Sequence, residues 1–367
     1  MQAHMQTGIS GAARALSLAL PFLMALTLFL SGSHQTHAQD DTPDGEISFV
    51  RLANGEPGGE GIYTINADGT DERPLFLFED LGLPYDIFNG GYRCPVWSPD
   101  GTQLAFNGAV TETNTSYIAV VDVESGDVEL VYEIQHEDQT LHNIYFPQWV
   151  PDAHQISFGF LDADRGTGLV TANGVRTVSL EDGDVVTIRD DIGMTEEGGS
   201  ELYIGGPVPN YVPFSHHWSP DGSQLAVSLY NWRTYVMDAD GASESDLTVD
   251  WANGYVEWSQ DGALLASSLY RMTVIDPSDG SERELVPVGE TLNGSTVESL
   301  AWSPDGSEIA YSTMWIDIIG GAFTTAFSLS VVDTETAEIR ELIRTPSFSG
   351  EYPYNISCVD WRPTDQD

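Results

Sequence analysis

PVWSPDGTQLAF (Pro95–Phe106) returns along the chain as HHWSPDGSQLAV (His216–Val227) and LAWSPDGSEIAY (Leu300–Tyr311). Altered copies read PQWVPDAHQISF (Pro147–Phe158) and VEWSQDGALLAS (Val256–Ser267), and a truncated one, VDWRP, starts at Val359. The tryptophans fall at 97, 149, 218, 258, 302 and 361, at intervals of 52, 69, 40, 44 and 59 residues. A fixed phrase at unequal intervals marks one supersecondary unit repeated with loops of variable length, and a basic period near forty residues suits a propeller blade.

Within the phrase, Pro99 presets φ for the second position of a tight turn, Asp100 suits the third and Gly101 accepts a positive φ. The turn therefore joins a strand ending at Trp97 to an alternating strand from Leu104. IAVVDVESG from Ile118 and DVELVYE from Asp127 supply a third and a fourth strand. The same order recurs in YVMDADGASESDLTV from Tyr235, MTVIDPSDGSERELV from Met272 and LSVVDTETAEIRELI from Leu329. Four strands joined by tight turns make one blade. The last copy stops after its first strand, whereas ISFVRL from Ile47, GIYTINADGT from Gly61 and ERPLFL from Glu72 read as strands two to four. The two ends are thus expected to share a blade, which removes free sheet edges. The fold expected over residues 45–367 is an all-β, six-bladed β-propeller of four-stranded antiparallel blades, its ring closed by the shared terminal strands.

The WSPDGxxIAF and IYxxDxDGxxxxxL phrases resemble the WD-like repeats of the TolB-like six-bladed propeller family, over nearly all of residues 45–367. The resemblance implies the propeller and a protein-binding role in a cell envelope. It departs from the family pattern where an α/β domain would precede the propeller.

Residues 1–38 carry Arg14 as the only strong charge, an apolar run from Ala15 to Leu30 and small or neutral residues before Ala38, which reads as a secretory signal peptide, with an uncleaved anchor as the alternative. Residues 39–44 form a short linker. No later stretch is long and apolar enough to span a bilayer. The expected location is periplasmic or extracellular. The formal net charge is −44, and all 13 basic residues are arginine. Such a lysine-free acidic surface stays hydrated in strong brine, which suggests a halophilic source, with an acidic secreted protein as the alternative. The field repels polyanions, so neither nucleic acid nor an anionic membrane is an expected partner. A soluble monomer is expected.

Cys94 and Cys358 both stand three residues before a repeat tryptophan, in blades that become neighbours when the ring closes. An exported chain meets an oxidising environment, so a disulfide between them is one reading and two buried thiols the other.

The long connections (76–93, 134–146, 189–215, 312–325 and 344–357) all fall on the face opposite the repeat turns, where binding loops gather on a rigid scaffold. Arg51, Arg93, Tyr230, Trp232, Arg233, Tyr270, Arg271 and Trp315 map there, and aromatics and arginine dominate binding hot spots. They are the candidate binding residues, the aromatics supplying desolvated area and the arginines orienting carboxylates. The repeat tryptophans are read as core. DADGASESD from Asp238 superficially resembles a calcium loop but lacks the terminal glutamate and recurs in the first blade as NADGTDERP, so it is a blade turn.

No GxSxG, HExxH, CxxC or phosphate-binding loop occurs, so no catalytic residue, cofactor or metal is expected. His142, Gln148, His216 and His217 loosely resemble the metal sites of oligogalacturonate lyase propellers, although successive strand residues point to opposite faces. The reading is a non-enzymatic propeller that binds a protein or peptide partner over its loop-rich face. The alternative is a carbohydrate-active lyase, or another hydrolase-type enzyme, acting on an anionic glycan.

Overall fold

The computed structural model describes residues 45–53, 59–81, 94–110, 113–137, 139–167, 170–190, 213–229, 233–247, 255–267, 272–286, 296–319, 322–345 and 354–363. Every regular element among them is a β-strand. In chain order, β1 (Glu46–Ala53), β2 (Gly61–Asn66) and β3 (Arg73–Leu77) come first. They are followed by β4 (Val96–Trp97), β5 (Gln103–Val110), β6 (Thr115–Asp122) and β7 (Val128–Gln135). Next come β8 (Thr140–Trp149), β9 (Gln155–Asp164), β10 (Val170–Ser179) and β11 (Val185–Asp190), then β12 (Pro213–Trp218), β13 (Gln224–Leu229), β14 (Arg233–Asp238) and β15 (Ser245–Asp246). The chain continues through β16 (Val256–Trp258), β17 (Leu264–Ser267), β18 (Met272–Ile275) and β19 (Glu282–Val286). It finishes with β20 (Thr296–Trp302), β21 (Glu308–Ile319), β22 (Ala322–Asp333), β23 (Ile339–Arg344) and β24 (Tyr354–Trp361).

These strands form six four-stranded antiparallel sheets, and the architecture is that of a β-propeller with four-stranded antiparallel blades. Five of the sheets are consecutive in sequence; the sixth has the order β24-β1-β2-β3, with Ile47 opposite Trp361 and Arg51 opposite Ile356.

Local chemistry builds each repeat turn. Gly101 N–H donates to the Ser98 carbonyl at 2.8 Å, the Ser98 hydroxyl donates to Asp100 at 2.6 Å, and the same hydroxyl accepts from Gln103 N–H at 2.9 Å. Ser219, Asp221 and Gln224 repeat the arrangement, as do Ser303, Asp305 and Glu308. Gly101 and Gly222 both adopt φ 66°, a region that side chains disfavour. The altered copy has Ala153 at the glycine position, and the positive φ moves back to Asp152 (φ 55°), a residue type that tolerates it.

The core lies between the sheets. Ile47, Phe49, Tyr63 and Ile65 pack against Ala310, Leu329 and Val331 on one side, while Val50 and Ile62 pack against Trp97, Leu104 and Phe106 on the other. Because both faces of a blade are covered, β2 reads as a nearly continuous buried run rather than an alternating one.

Polar joins between neighbouring sheets follow the repeat. The Trp97 indole N–H donates to Ser48 Oγ (3.0 Å) and that of Trp218 to Ser157 Oγ (2.8 Å). Ser157 stands eight residues after Trp149 in its own copy, and Ser48 holds the equivalent place on β1. Trp149 uses the Val96 carbonyl instead. The indole N–H groups of Trp258, Trp302 and Trp361 are buried without a partner, and at the corresponding position of the preceding sheet the sequence has Ala226, Ala266 and Ala310. On the periphery, Arg189, Arg283 and Arg340 each reach a backbone carbonyl of the next sheet, at Gly241, Thr334 and Ala67.

Three residues before the repeat tryptophan, Ser215 Oγ accepts from Val256 N–H and Ser299 Oγ from Val359 N–H. At the same position of the last copy stands Cys358, and it is joined to Cys94 by a disulfide with S–S 2.06 Å and Cα–Cα 4.8 Å. A covalent link thus occupies a place that other junctions fill with a hydrogen bond.

Candidate functional site

The first strand of each sheet lines a channel, and on the repeat-turn side this channel widens into a cavity of about 520 Å³. Its wall mixes apolar rings with polar side chains. The proline of the turn contributes from five copies (Pro99, Pro151, Pro220, Pro304, Pro363), with exposed Gln260 in the remaining one, and the six repeat tryptophans stand behind them. Strand alternation explains the floor. Because each tryptophan turns between sheets, the residue immediately before it turns toward the channel. Those residues are Val96, Gln148, His217, Glu257, Ala301 and Asp360, and all but Ala301 border the cavity.

Three of these side chains also tie one sheet to the next. His217 Nδ1 accepts from Trp258 N–H (3.2 Å), Glu257 Oε1 from Trp302 N–H (3.0 Å) and Asp360 Oδ2 from Trp97 N–H (2.7 Å). Where Ala301 cannot serve Trp361 N–H, Asp360 accepts it through its own Oδ1 at 2.9 Å.

The electrostatics of the floor are set by burial. Glu257 and Asp360 keep surface only toward the channel, and among the described residues neither is ion-paired with an arginine. Desolvation pushes the Asp360 carboxyl up to about 7, and the Trp97 and Trp361 amides only partly offset it. Desolvation also raises Glu257 well above the usual carboxylate range, and the nearby Asp360 raises it further. Burial lowers His216 to about 3 and His217 to about 4, so both imidazoles are neutral. The arrangement is a funnel of prolines and indoles ending on two carboxyl groups whose burial favours their protonated forms. By contrast, Asp221 in an exposed repeat turn is pulled down to about 2, first by the Ser223 backbone N–H and then by the Ser223 and Ser219 hydroxyls.

Several sequence candidates have local partners. Arg51 pairs with Glu72 at 3.1 Å and lies 5.0 Å from the Tyr63 ring centre. Trp315 donates its indole N–H to Ser328 Oγ (3.0 Å) and is covered by Arg344 at 4.8 Å, which also pairs with Glu341. Arg93, Tyr230, Trp232, Tyr270 and Arg271 lie outside the described residues, as does the side chain of Arg233, which opens β14. Residues 1–38, expected as a signal peptide, and 39–44, expected as a linker, lie outside them too; among the described residues, no helix is long and apolar enough to cross a membrane.

Of the histidine constellation, Gln148, His216 and His217 line the channel together and His142 stands apart. His142 pairs with Asp162 at 2.7 Å, His216 Nε2 meets Ser157 Oγ at 2.9 Å, and His217 faces the channel. No group of three or more histidine, cysteine, aspartate or glutamate side chains that could hold a metal ion occurs among the described residues. Sequence reasoning passed over Glu257 and Asp360. The signal that finds them is the position before each repeat tryptophan, where the chemistry changes from copy to copy.

No family model matches the chain, and no curated protein does. Solved structures do. TolB from Acinetobacter baumannii is 19% identical, with 87% of this chain and 67% of that one covered and a TM-score of 0.54. A putative TolB from Agrobacterium tumefaciens is 15% identical, with 87% and 99% covered and a TM-score of 0.48. Oligogalacturonate lyase in complex with manganese is 14% identical, with 82% and 73% covered and a TM-score of 0.43. At these identities the likeness concerns the β-propeller fold.

Proposed function

We propose that this chain is an exported, non-enzymatic propeller, closed as one six-bladed ring, that binds a protein or peptide partner at the mouth of its central channel. The observation that carries the reading is the funnel of about 520 Å³ to which every repeat contributes. That volume lies within the range of about 300–1,000 Å³ usual for ligand sites, and its proline and indole wall carries convergent polar groups that could orient an occupant. Export is supported by the Cys94–Cys358 disulfide, since such bonds persist in oxidising compartments. The likeness to TolB supports the propeller, and fold alone does not fix a function.

The two faces of the channel are separable by experiment. Gln260→Trp narrows the funnel from an exposed position, whereas Trp315→Ala removes an aromatic near the loop-rich face. Envelope proteins retained by the wild type in high salt and lost on Gln260→Trp support the funnel. Loss on Trp315→Ala alone moves the site to the loop face, and a wild type that retains nothing specific overturns the reading. In that last case, turnover of polyuronates with and without manganese tests the lyase alternative.

A further inference from the structure

We propose that the funnel receives the cationic side chain of a lysine or arginine, carried on an extended segment of the partner, with its charge set against Glu257 and Asp360. The inference rests on the binding reading above and names the chemistry that the site selects.

The first support is an imbalance of charge. The nine arginines whose side chains are described all have protein acceptors nearby, for example Arg340 with Glu308, Arg189 with Glu244 and Arg362 with Glu46. None of these ion pairs involves Glu257 or Asp360, although desolvation dominates the environment of both. Buried carboxyls without a cation carry an uncompensated desolvation cost, and a cation brought to them relieves it.

Shape supplies the second support. Lysine and arginine have an apolar stem and a charged tip, which matches a proline and indole wall above a carboxyl floor. Ala301, between Glu257 on β16 and Asp360 on β24, contributes no polar group of its own, so the two carboxyls meet whatever enters. The occupant's charge is fixed by the rest of the protein. A net charge of −44 attracts a basic segment and opposes both a second copy of this chain and an acidic peptide.

Binding should also move protons. The groups facing the floor are His216 and His217 on β12, Glu257 on β16 and Asp360 on β24; β4, β8 and β20 present Val96, Gln148 and Ala301, and Asp100 and Asp152 stand at the mouth. Both histidines are neutral near pH 7, so the protons displaced by an arriving cation come from the two carboxyls. Affinity therefore rises with pH between about 6 and 8.

The test titrates acetyl-Gly-Lys-Gly-amide into the protein, following indole fluorescence and, by calorimetry in buffers of different ionisation enthalpy, proton release. Acetyl-Gly-norleucine-Gly-amide, n-butylammonium, calcium chloride and manganese chloride are titrated separately. The lysine peptide is expected to bind at least about tenfold more tightly than the norleucine peptide and n-butylammonium, with net proton release. Glu257→Gln, which keeps an acceptor for Trp302 N–H, is expected to weaken it about tenfold. Should that variant fail to fold, Gln260→Arg, placed at the exposed rim, supplies an internal competitor with the same expected loss. Equal binding of the norleucine peptide, or unchanged affinity in both variants, overturns the proposal. Tight binding of n-butylammonium alone reassigns the funnel to free amines, and displacement of the peptide by calcium or manganese reassigns it to an inorganic cation; either overturns it. Partner capture that is lost on Gln260→Trp but survives Glu257→Gln sinks the cation and leaves the binding reading standing.

Discussion

Replacing Ser157 by alanine tests how the sheets are joined. The Ser157 hydroxyl accepts from the Trp218 indole at 2.8 Å, pairs with His216 Nε2 at 2.9 Å and reaches the Gln148 carbonyl at 3.3 Å. Trp218 and His216 are 5% and 1% exposed, so water cannot replace the lost hydroxyl. Each stranded polar group costs about 1–3 kcal/mol, and the two together about 2–6 kcal/mol. With an unfolding entropy of about 2.1 cal/mol/K per residue over roughly 320 residues, the midpoint should fall by about 3–9 °C. Trp218→Phe alone removes the donor and shrinks the ring. In a double-mutant cycle, Ser157→Ala should then cost less when combined with Trp218→Phe than in the wild type, with a coupling of about 1 kcal/mol or more. The reverse substitutions complete the test. Ala226→Ser and Ala310→Ser each offer an acceptor to a buried indole that has none, Trp258 and Trp361, and should raise the midpoint by about 1–2 °C, corresponding to a gain near 1 kcal/mol. Chemical denaturation and calorimetry read all five variants. Additive Ser157→Ala and Trp218→Phe effects, together with destabilisation by both Ala→Ser changes, would refute the assignment of Ser157 and its equivalents as indole acceptors.

Stability against pH should reveal opposing groups in the channel. His216 and His217 take up protons only on unfolding, so their contribution falls as pH drops below about 6.5, whereas Asp360 and Glu257 hold protons that the unfolded chain has released, so theirs falls as pH rises from about 4 toward 7. Asp360→Asn removes one of the two carboxyls from this balance, and the melting temperature should climb more steeply between pH 5 and 6.5, by up to about 2 °C per pH unit at about 1.4 kcal/mol per group; an unchanged slope would contradict it. Reduction of Cys94–Cys358, or Cys94→Ser with Cys358→Ser, should cost about 2–5 kcal/mol, since the link spans 264 residues, and a denaturation midpoint indifferent to reductant would count against it. With a net charge of −44, raising potassium chloride from about 0.1 to 1 M should raise the melting temperature by screening self-repulsion, and a fall would show that attractive pairs dominate.

The strand order of each blade was legible because its determinants are local. The serine, aspartate and glycine of the repeat phrase close their own turn, and the flanking apolar residues specify strands that are covered on both faces. Even the altered copy at Val150 keeps its turn, because Asp152 takes over the conformation that glycine holds elsewhere. The funnel was not legible in the same way. Its chemistry sits at one position per repeat, and Gln148, His217, Glu257 and Asp360 are separated by 40 to more than 100 residues, so alignment of the copies shows them only as variation. They converge because the tryptophans beside them all turn the same way. Arg51 and Trp315 show the complementary difficulty: a sequence displays a cation or an indole, but not the Glu72 or Ser328 that meets it.

The pairing of β24 with β1 imposes an order on how the molecule is made. Each other sheet can assemble as soon as its own four strands have emerged, whereas β1 must wait for the final residues of the chain. Until then β1 offers an open edge, and the contact that covers it joins residues more than 300 positions apart, the slowest kind to form. Formation of the Cys94–Cys358 bond is therefore a chemical timestamp: it records that the last strand has arrived, and trapping free thiols during refolding would count the molecules still waiting for it.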